Sequence, residues 1–475
     1  MNGCKSFLFL TVFAIATCCG LQSCEDNPKV QGPFAVDIGN SEIPYVIIDT
    51  HGGEIQFEPK IAATLQVYEG KSLVQENEIG IEYRGKTSFR LSDKKGFNIE
   101  TTEDAVFFGF PEEEDFRLVG HIVNLEDRYI FDRTLMYNFV GYEIARSIGR
   151  YASRCKFIEL QVNGDYLGVY VFMEKLKRDD NRINIKSLNA SSTNLTGGYI
   201  ITIDKTSVGD AGIGKPLSYF ENNWDDDARY TTSNSFRSRF DIFGNEITFA
   251  PYGAPYHPQQ YLETYFLYEY PKEEDITQEQ KNYIAKYIDD FEVALLSDDF
   301  QGSVRTYTDY IDLSTFVDYF ILNELFRNVD AYRLSTYLQK DRDGKLGMGP
   351  VWDLDIAFDN GDRIPLNDWV INYNNHVSQD PWMVHFWWPR LMEDPQFRKA
   401  VKARWNELRG NQLSDNSLAQ WVDDTAQWLK VNGAVSRNYQ VWDKGIGVDY
   451  DGSINNLKNF LQQRASWMGS VIATF

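Results

Sequence analysis

Asn328-Val329-Asp330-Ala331-Tyr332-Arg333-Leu334-Ser335-Thr336-Tyr337, followed by Met348-Gly349-Pro350-Val351-Trp352-Asp353-Leu354-Asp355, is the stretch on which the reading of this chain turns. Before it, Phe316, Val317, Phe320, Ile321 and Leu325 recur at helical spacing and predict an amphipathic helix over residues 313–327. After Asp330, Leu334-Ser335-Thr336-Tyr337-Leu338 reads as a strand that turns at Asp341-Arg342-Asp343-Gly344 and leads to Trp352-Asp353. Asp330 therefore stands between a helix and a strand, where rigid elements can hold a carboxylate at a cleft. Asp353 stands beyond the next hairpin.

Outward from this block the pattern is mixed. Strands are predicted at Ile43-Pro44-Tyr45-Val46-Ile47-Ile48, at residues 62–68, at Ile79-Gly80-Ile81-Glu82-Tyr83-Arg84 and at Lys95-Gly96-Phe97-Asn98-Ile99-Glu100. Asp132 can cap a helix carrying Leu135, Met136, Phe139, Val140 and Ile144, with Gly149 where a C-cap belongs. A hairpin over residues 157–174 turns at Asn163-Gly164, the pair favoured by type I′ turns. Another strand covers residues 198–204, and Thr277 with Gln280 forms a capping-box pattern ahead of a helix. The aromatic run Trp382-Met383-Val384-His385-Phe386-Trp387-Trp388 reads as core rather than a lid. No internal repeat occurs, and the sum is an α+β chain, strand-rich first and helical later.

Two carboxylates separated by a β-hairpin are how protein kinases divide labour. The first orients and deprotonates the acceptor hydroxyl, and the second holds magnesium on the nucleotide phosphates. At this point the sequence resembles the CotH family, atypical secreted or spore-coat protein kinases of divergent kinase fold. The resemblance is carried by Glu82-Tyr83-Arg84-Gly85-Lys86-Thr87-Ser88 with Lys94-Lys95-Gly96-Phe97-Asn98-Ile99, by residues 132–149, by Asn163 through Lys175, and by residues 328–358. It implies a two-lobed kinase-like fold, strand-rich N-terminal lobe and helical C-terminal lobe, over residues 79–475, preceded by a small β segment over 41–78. It implies ATP with Mg2+ or Mn2+ as cofactors and a protein or glycan hydroxyl as acceptor. Asp330 is then the catalytic aspartate, Asp353 a metal ligand, Asp355 a second one, and Ser335 a neutral ligand where kinases carry Asn. Lys95, with Arg84 and Lys86 in reserve, neutralises phosphate charge, and Glu174 pairs with that lysine.

The sequence departs from its relatives at Ser335, at Tyr137, where they often carry Arg, and at Asp359, where Gly usually follows the Trp-Asp motif. These changes leave room for a catalytically inactive surface lipoprotein that binds glycan or protein. The plainer reading makes Asp330 a helix-terminus turn residue and Asp353 the partner of an arginine such as Arg333.

Other motifs carry less. Gly209-Asp210-Ala211-Gly212-Ile213-Gly214-Lys215 has P-loop spacing, but Pro216 follows where a Ser or Thr hydroxyl is needed. Asp341-Arg342-Asp343-Gly344 and Asp449-Tyr450-Asp451-Gly452 lack the preceding acidic residue of a calcium loop and read as turns.

The first residues give an address. Lys5 and the apolar run over 7–16 form a leader too short to span a bilayer, and Leu21-Gln22-Ser23-Cys24 matches the bacterial lipobox. Residues 1–23 are expected to be removed, with lipid on Cys24 and a tether over 24–40. The expected location is the bacterial cell envelope, on an outer-membrane lipoprotein facing the periplasm or the surface. Cys155 is then the sole thiol of the mature body. A formal charge of −22 excludes nucleic acid as an expected partner, because phosphate backbones would be repelled.

Overall fold

A computed structural model describes residues 32–206, 224–302 and 306–475. The leader, Cys24 and the loop 209–215 lie outside the described residues. The described chain opens with strands β1 (Tyr45–Asp49), β2 (Ile61–Glu69) and β3 (Ser72–Arg84). A short helix α1 (Thr87–Leu91) leads to β4 (Gly96–Ala105) and β5 (Glu113–Gly120). A small ribbon, β6 (Val123–Asn124) with β7 (Tyr129–Ile130), precedes helix α2 (Tyr137–Ser147). The hairpin β8 (Cys155–Val162) and β9 (Asp165–Glu174) follows. Its turn residues Asn163 and Gly164 sit at φ 50° and 89°, as a type I′ turn requires.

Seven of these strands close into a barrel in the order β1-β2-β3-β4-β5-β9-β8. All neighbours are antiparallel except β1 and β8, which run parallel with Ile48 opposite Val162. Alternation explains the closure: Ala63, Leu65 and Val67 of β2 and Phe97 and Ile99 of β4 are buried, with polar residues between them. Phe107, Phe116 and Phe172 fill the interior with ring centroids 5.0–5.1 Å apart. β3 runs through the boundary expected at 78/79, pairing with β2 on both sides of it, Gln75 with Val67 and Ile81 with Ile61. Residues 41–78 and those that follow therefore share one barrel.

The second sheet comprises β10 (Tyr199–Ile203), β11 (Ser235–Arg237), β12 (Tyr265–Tyr270), β13 (Thr336–Lys340) and β14 (Leu346–Met348). Its order is β11-β12-β10-β13-β14. β10 and β13 are antiparallel with Ile203 opposite Thr336, which sets Asp204 and Ser335 side by side at one end of the sheet. Helices α3 (Gln278–Leu296) and α4 (Leu313–Phe326) lie between β12 and β13 in sequence. The Thr277–Gln280 capping box starts α3. α4 departs from the one-sided helix expected: every residue from Thr315 to Phe326 is buried. An all-round buried helix carries its polar side chains only with partners. Asp318 is held by Arg150 and Arg404, and Glu324 by Arg464.

Helices α5 (Tyr373–His376), α6 (Trp387–Glu393), α7 (Pro395–Arg409), α8 (Asp415–Val431), α9 (Ala434–Trp442) and α10 (Tyr450–Ile472) complete the chain. Asp449 caps α10 rather than making a free turn. Trp387 and Trp388 are buried, as the reading of that run as core expects. α9 clasps the barrel, because Asn438 Oδ1 accepts from Val169 N–H and from the Lys94 ammonium. The fold class is α+β. Among the described residues no helix is long and apolar enough to cross a membrane.

Candidate functional site

The last residue of α4 is followed by Arg327 in the left-handed region, and the chain then coils through residues 328–335 before β13 begins. Tyr332 at φ 72°, Ser335 at 46° and, beyond the hairpin, Asp353 at 55° are left-handed residues without the freedom of glycine. Such conformations persist where surrounding contacts over-determine them, and they gather at functional sites. Arg333 fixes Asp330: its guanidinium binds the Asp330 carboxylate, Val329 O at 2.8 Å and Trp382 O at 3.1 Å, and stacks 4.1 Å from the Tyr373 ring. Arg333 thus serves Asp330 and Asp380, not Asp353.

Helix α2 fixes the second carboxylate pair. Asp353 N–H donates to Tyr142 Oη at 3.2 Å, and Leu354 N–H donates to Asn138 Oδ1 at 2.9 Å. Asn138 Nδ2 in turn donates to Asp355 at 2.6 Å, and Trp352 stacks on Tyr142 at 6.0 Å. Ser335 Oγ lies 3.4 Å from Asp353 Oδ2. The barrel contributes Arg84 from the end of β3, and Arg117 from β5 covers the Trp352 ring at 4.8 Å.

These groups feel one another strongly. Burial pushes the Asp353 carboxyl up; Arg84 pulls it back, while the charges of Asp330 and Asp204 push it further. Asp355 is pushed up to about 8, first by burial and then by Asp353. Arg84 is lowered by desolvation and by Arg117, and is held by Asp353 and Asp355. Asp204, Asp330, Asp353, Asp355, Arg84 and Ser335 each remain half-buried, so the cluster forms a polar recess that solvent still reaches. The arrangement brings together Asp330, Asp353, Asp355, Ser335 and Arg84 from the sequence reading. It adds Asp204, Asn138, Tyr142 and Arg117, which that reading missed. Asp204 closes β10 and reaches the site only through the β10–β13 register, a long-range pairing with no local signature.

The other cation candidates are placed differently. Lys86 lies 3.5 Å from Asp204 and donates to Lys205 O, at the rim of the recess. Lys95 donates to Phe89 O at 2.6 Å and lies over the Phe89 ring. Glu174 is bound by Arg154 at 2.9 Å and Arg182 at 3.2 Å, so the expected Lys95–Glu174 pair is corrected to these arginine pairs. The register gives the reason. Tyr170 Oη donates to Lys95 O, whereas Glu174 is opposite Phe116, so the two lie about 13 Å apart along β9.

Oxygen donors suit a hard divalent cation. Among the described residues, the group of three carboxylates already within 4.8 Å of each other is Glu113, Glu114 and Asp115, which Lys175, Lys177 and Arg182 neutralise. Asp353 and Asp355 fit a cation better: burial and like charge disfavour the ionised form of both, and a divalent ion would offset that charge. Two departures from the relatives meet in space, since Tyr137 Oη donates to the Asp359 carboxylate and the Tyr137 ring lies 4.9 Å from Phe358.

Comparison with curated proteins finds no match. The family described as CotH kinase protein matches residues 81–468, which take in the barrel strands from β4 onward, the second sheet, the aspartate recess and most of α10. The chain belongs to the CotH kinase protein family.

Proposed function

We propose that this protein is an exported, lipid-anchored kinase with a two-lobed kinase-like arrangement, transferring phosphate from a Mg2+ or Mn2+ nucleotide, ATP, to a protein or glycan hydroxyl. The observation that carries the reading is the convergence of Asp330, Asp353, Asp355 and Asp204 on one half-buried recess, with Arg84 among them. Asp330, oriented by Arg333, accepts the proton of the acceptor hydroxyl as it attacks. Asp353 and Asp355, with Ser335 Oγ as a neutral oxygen, would hold the cation. A bound Mg2+ or Mn2+ supplies neutralisation of the charge on the transferring phosphoryl oxygens. Arg84 adds a fixed guanidinium to that task, and Lys86 stands behind it at Asp204. Lipid on Cys24 places this body at the envelope, and the charge of −22 disfavours nucleic acid as a partner.

Labelled ATP incubated with Mg2+ or Mn2+ and the purified protein tests this. Incorporation is expected to vanish with chelator and to fall by about 10²–10⁴-fold in Asp330→Ala and in Asp353→Ala. Unchanged transfer in either variant overturns the role assigned to that carboxylate. The distance between Lys95 and Glu174 favours a second reading, an inactive lipoprotein that binds glycan or protein. That reading is selected if the wild-type protein incorporates no label with either metal.

A further inference from the structure

We infer that Arg117, which no sequence motif singles out, joins Arg84 in a two-guanidinium clamp that binds the phosphate chain of a polyphosphate ligand. The inference rests on the reading of the aspartate recess as a phosphoryl-transfer site and names the residues that take the anion there.

Strand register puts the two arginines on one face. Arg84 lies opposite Gly96 of β4, and Asn98, two residues on, lies opposite Arg117 of β5. Side chains alternate along a strand, so Arg84, Gly96, Asn98 and Arg117 share the outer face of the barrel while Phe97, Ile99 and Leu118 point into it. Gly96 lets Arg84 lean over β4: a Cβ there would lie 3.1 Å from Arg84 Cγ and 3.2 Å from Leu118 O. The Arg117 guanidinium lies 4.8 Å from the centre of the Trp352 ring, and Trp352 stacks on Tyr142, whose hydroxyl accepts from Asp353 N–H. Arg84 in turn is within electrostatic reach of Asp353 and Asp355. Both arginines therefore sit at the aspartate recess.

What sets the pair apart is that it lacks an anion. Arg333, Arg464 and Arg182 each have a carboxylate oxygen at 2.5–3.0 Å. Among the described residues, Arg84 and Arg117 make no hydrogen bond and have no carboxylate oxygen within 4.0 Å. After burial, the charge of Arg117 is the strongest influence on Arg84, and it lowers it. Like charges brought together where water is partly excluded repel, and an anion between them turns repulsion into attraction. Arg117 Nε is closed off from solvent, but the terminal nitrogens of Arg117 and all three nitrogens of Arg84 are open to it, so a ligand in the recess reaches them.

Charge around the clamp selects the ligand. Asp204 has Lys86 at 3.5 Å and Asp330 has Arg333. Asp353 and Asp355 are assigned above to a cation, which leaves the two guanidiniums for an anion. A planar guanidinium binds phosphate oxygens in pairs, and two such forks at one site suit a chain of phosphates.

The test titrates the purified protein with tripolyphosphate in the presence of Mg2+, followed calorimetrically, with tricarballylate as the carboxylate probe. Saturable binding of tripolyphosphate is expected. Arg84→Gln and Arg117→Gln should each weaken it about ten- to hundredfold, while Arg239→Gln, which removes an exposed guanidinium paired with Asp289, should leave it unchanged. If Arg117→Gln loses its thermal transition, Arg117→Lys decides, since it keeps a cation over Trp352 and loses the fork. It should weaken binding at least about threefold, and wild-type affinity in it overturns the inference. No tripolyphosphate binding up to about 10 mM overturns it, as does Arg117→Gln behaving like Arg239→Gln, or tricarballylate binding as tightly as tripolyphosphate. The two readings fail separately. Arginine variants that behave as expected in a protein that incorporates no label leave the clamp standing and end phosphoryl transfer. Transfer with an ATP KM unaltered in both arginine variants leaves transfer standing and ends the clamp.

Discussion

Asp355 is the residue whose chemistry most exposes the recess. Its folded-state pKa of about 8 stands far above the ordinary 3.8, because burial and Asp353 both disfavour its charge. The folded protein therefore binds more protons than the unfolded chain between about pH 4 and 8, and stability falls as pH rises through that window and levels off above it. Asp355→Asn keeps the oxygen that accepts from Asn138 and removes the charge. Its melting temperature should exceed that of the wild type by more at pH 8 than at pH 5. A gap between the two that stays constant with pH would show that the carboxyl is not held up by its surroundings. Because Asp353 is pushed in the same direction, the pair titrates together and some slope should survive in the variant. Of the residues of this cluster that sequence reading reached, Asp330, Ser335, Asp353 and Asp355 lie in one short motif on either side of a hairpin, and Arg84 lies in the separate segment 82–88. Asn138 and Asp204 were illegible because a helix and a strand register deliver them from far along the chain. Lys95 and Glu174 show the converse, since an order of residue types that suits a kinase pair says nothing about the register that keeps them apart.

At the scale of elements, strands with clear alternation such as β2 were legible, whereas β5, with its charged start, was not. β5 begins Glu113-Glu114-Asp115, and only the alternation of Phe116 and Leu118 marks its inward face. The charges are tolerated because Lys175, Lys177 and Arg182 answer them across the barrel wall. The seam between β10 and the β13–β14 hairpin is the element contact that carries Asp204 to Ser335, and Gly197 sets how closely it can close. A Cβ at Gly197 would lie 2.1 Å from the backbone carbonyl of Asp341, an atom that cannot rotate aside. Gly197→Ala should destabilise the fold by about 1–3 kcal/mol, the usual cost of overpacking, although alanine is ordinarily the easier residue to order. Chemical denaturation measures this. A neutral or stabilising result would mean that the seam is loose enough to admit a methyl group and that the placement of Asp204 beside the site is not enforced there.

The whole molecule is tied together from its far end. Arg464 of α10 and Glu324 of α4 are both fully buried, and their contact at 3.0 Å is supplemented by Arg464 donating to Glu324 O, Leu366 O and Asp368 O at 2.6–2.7 Å. The Glu324 carboxylate also accepts from Val370 N–H at 2.6 Å, Ile371 N–H at 3.0 Å and the Tyr332 hydroxyl at 3.2 Å. One ion pair thus fixes the C-terminal helix, the central helix and the loop that presents Asp330. Burial raises Glu324 to about 7 even with Arg464 beside it, so its contribution to stability declines as pH rises from about 4.5 and levels off above about 7. Arg464→Met removes the cation and leaves the carboxyl to be protonated or stranded. A loss of about 3–5 kcal/mol is expected, the cost of breaking a buried pair from one side. Without Arg464 the carboxyl stays protonated to higher pH, so the variant should keep losing stability where the wild type has levelled off, and the gap should be wider at pH 8 than at pH 5. Adding Glu324→Gln should recover part of the loss at pH 8 but little at pH 5, because the amide replaces a group already neutral at the lower pH. Denaturation at both pH values decides the matter, and a single-variant loss of under about 0.5 kcal/mol, as at an ordinary surface site, would show that α10 is held by its apolar face alone.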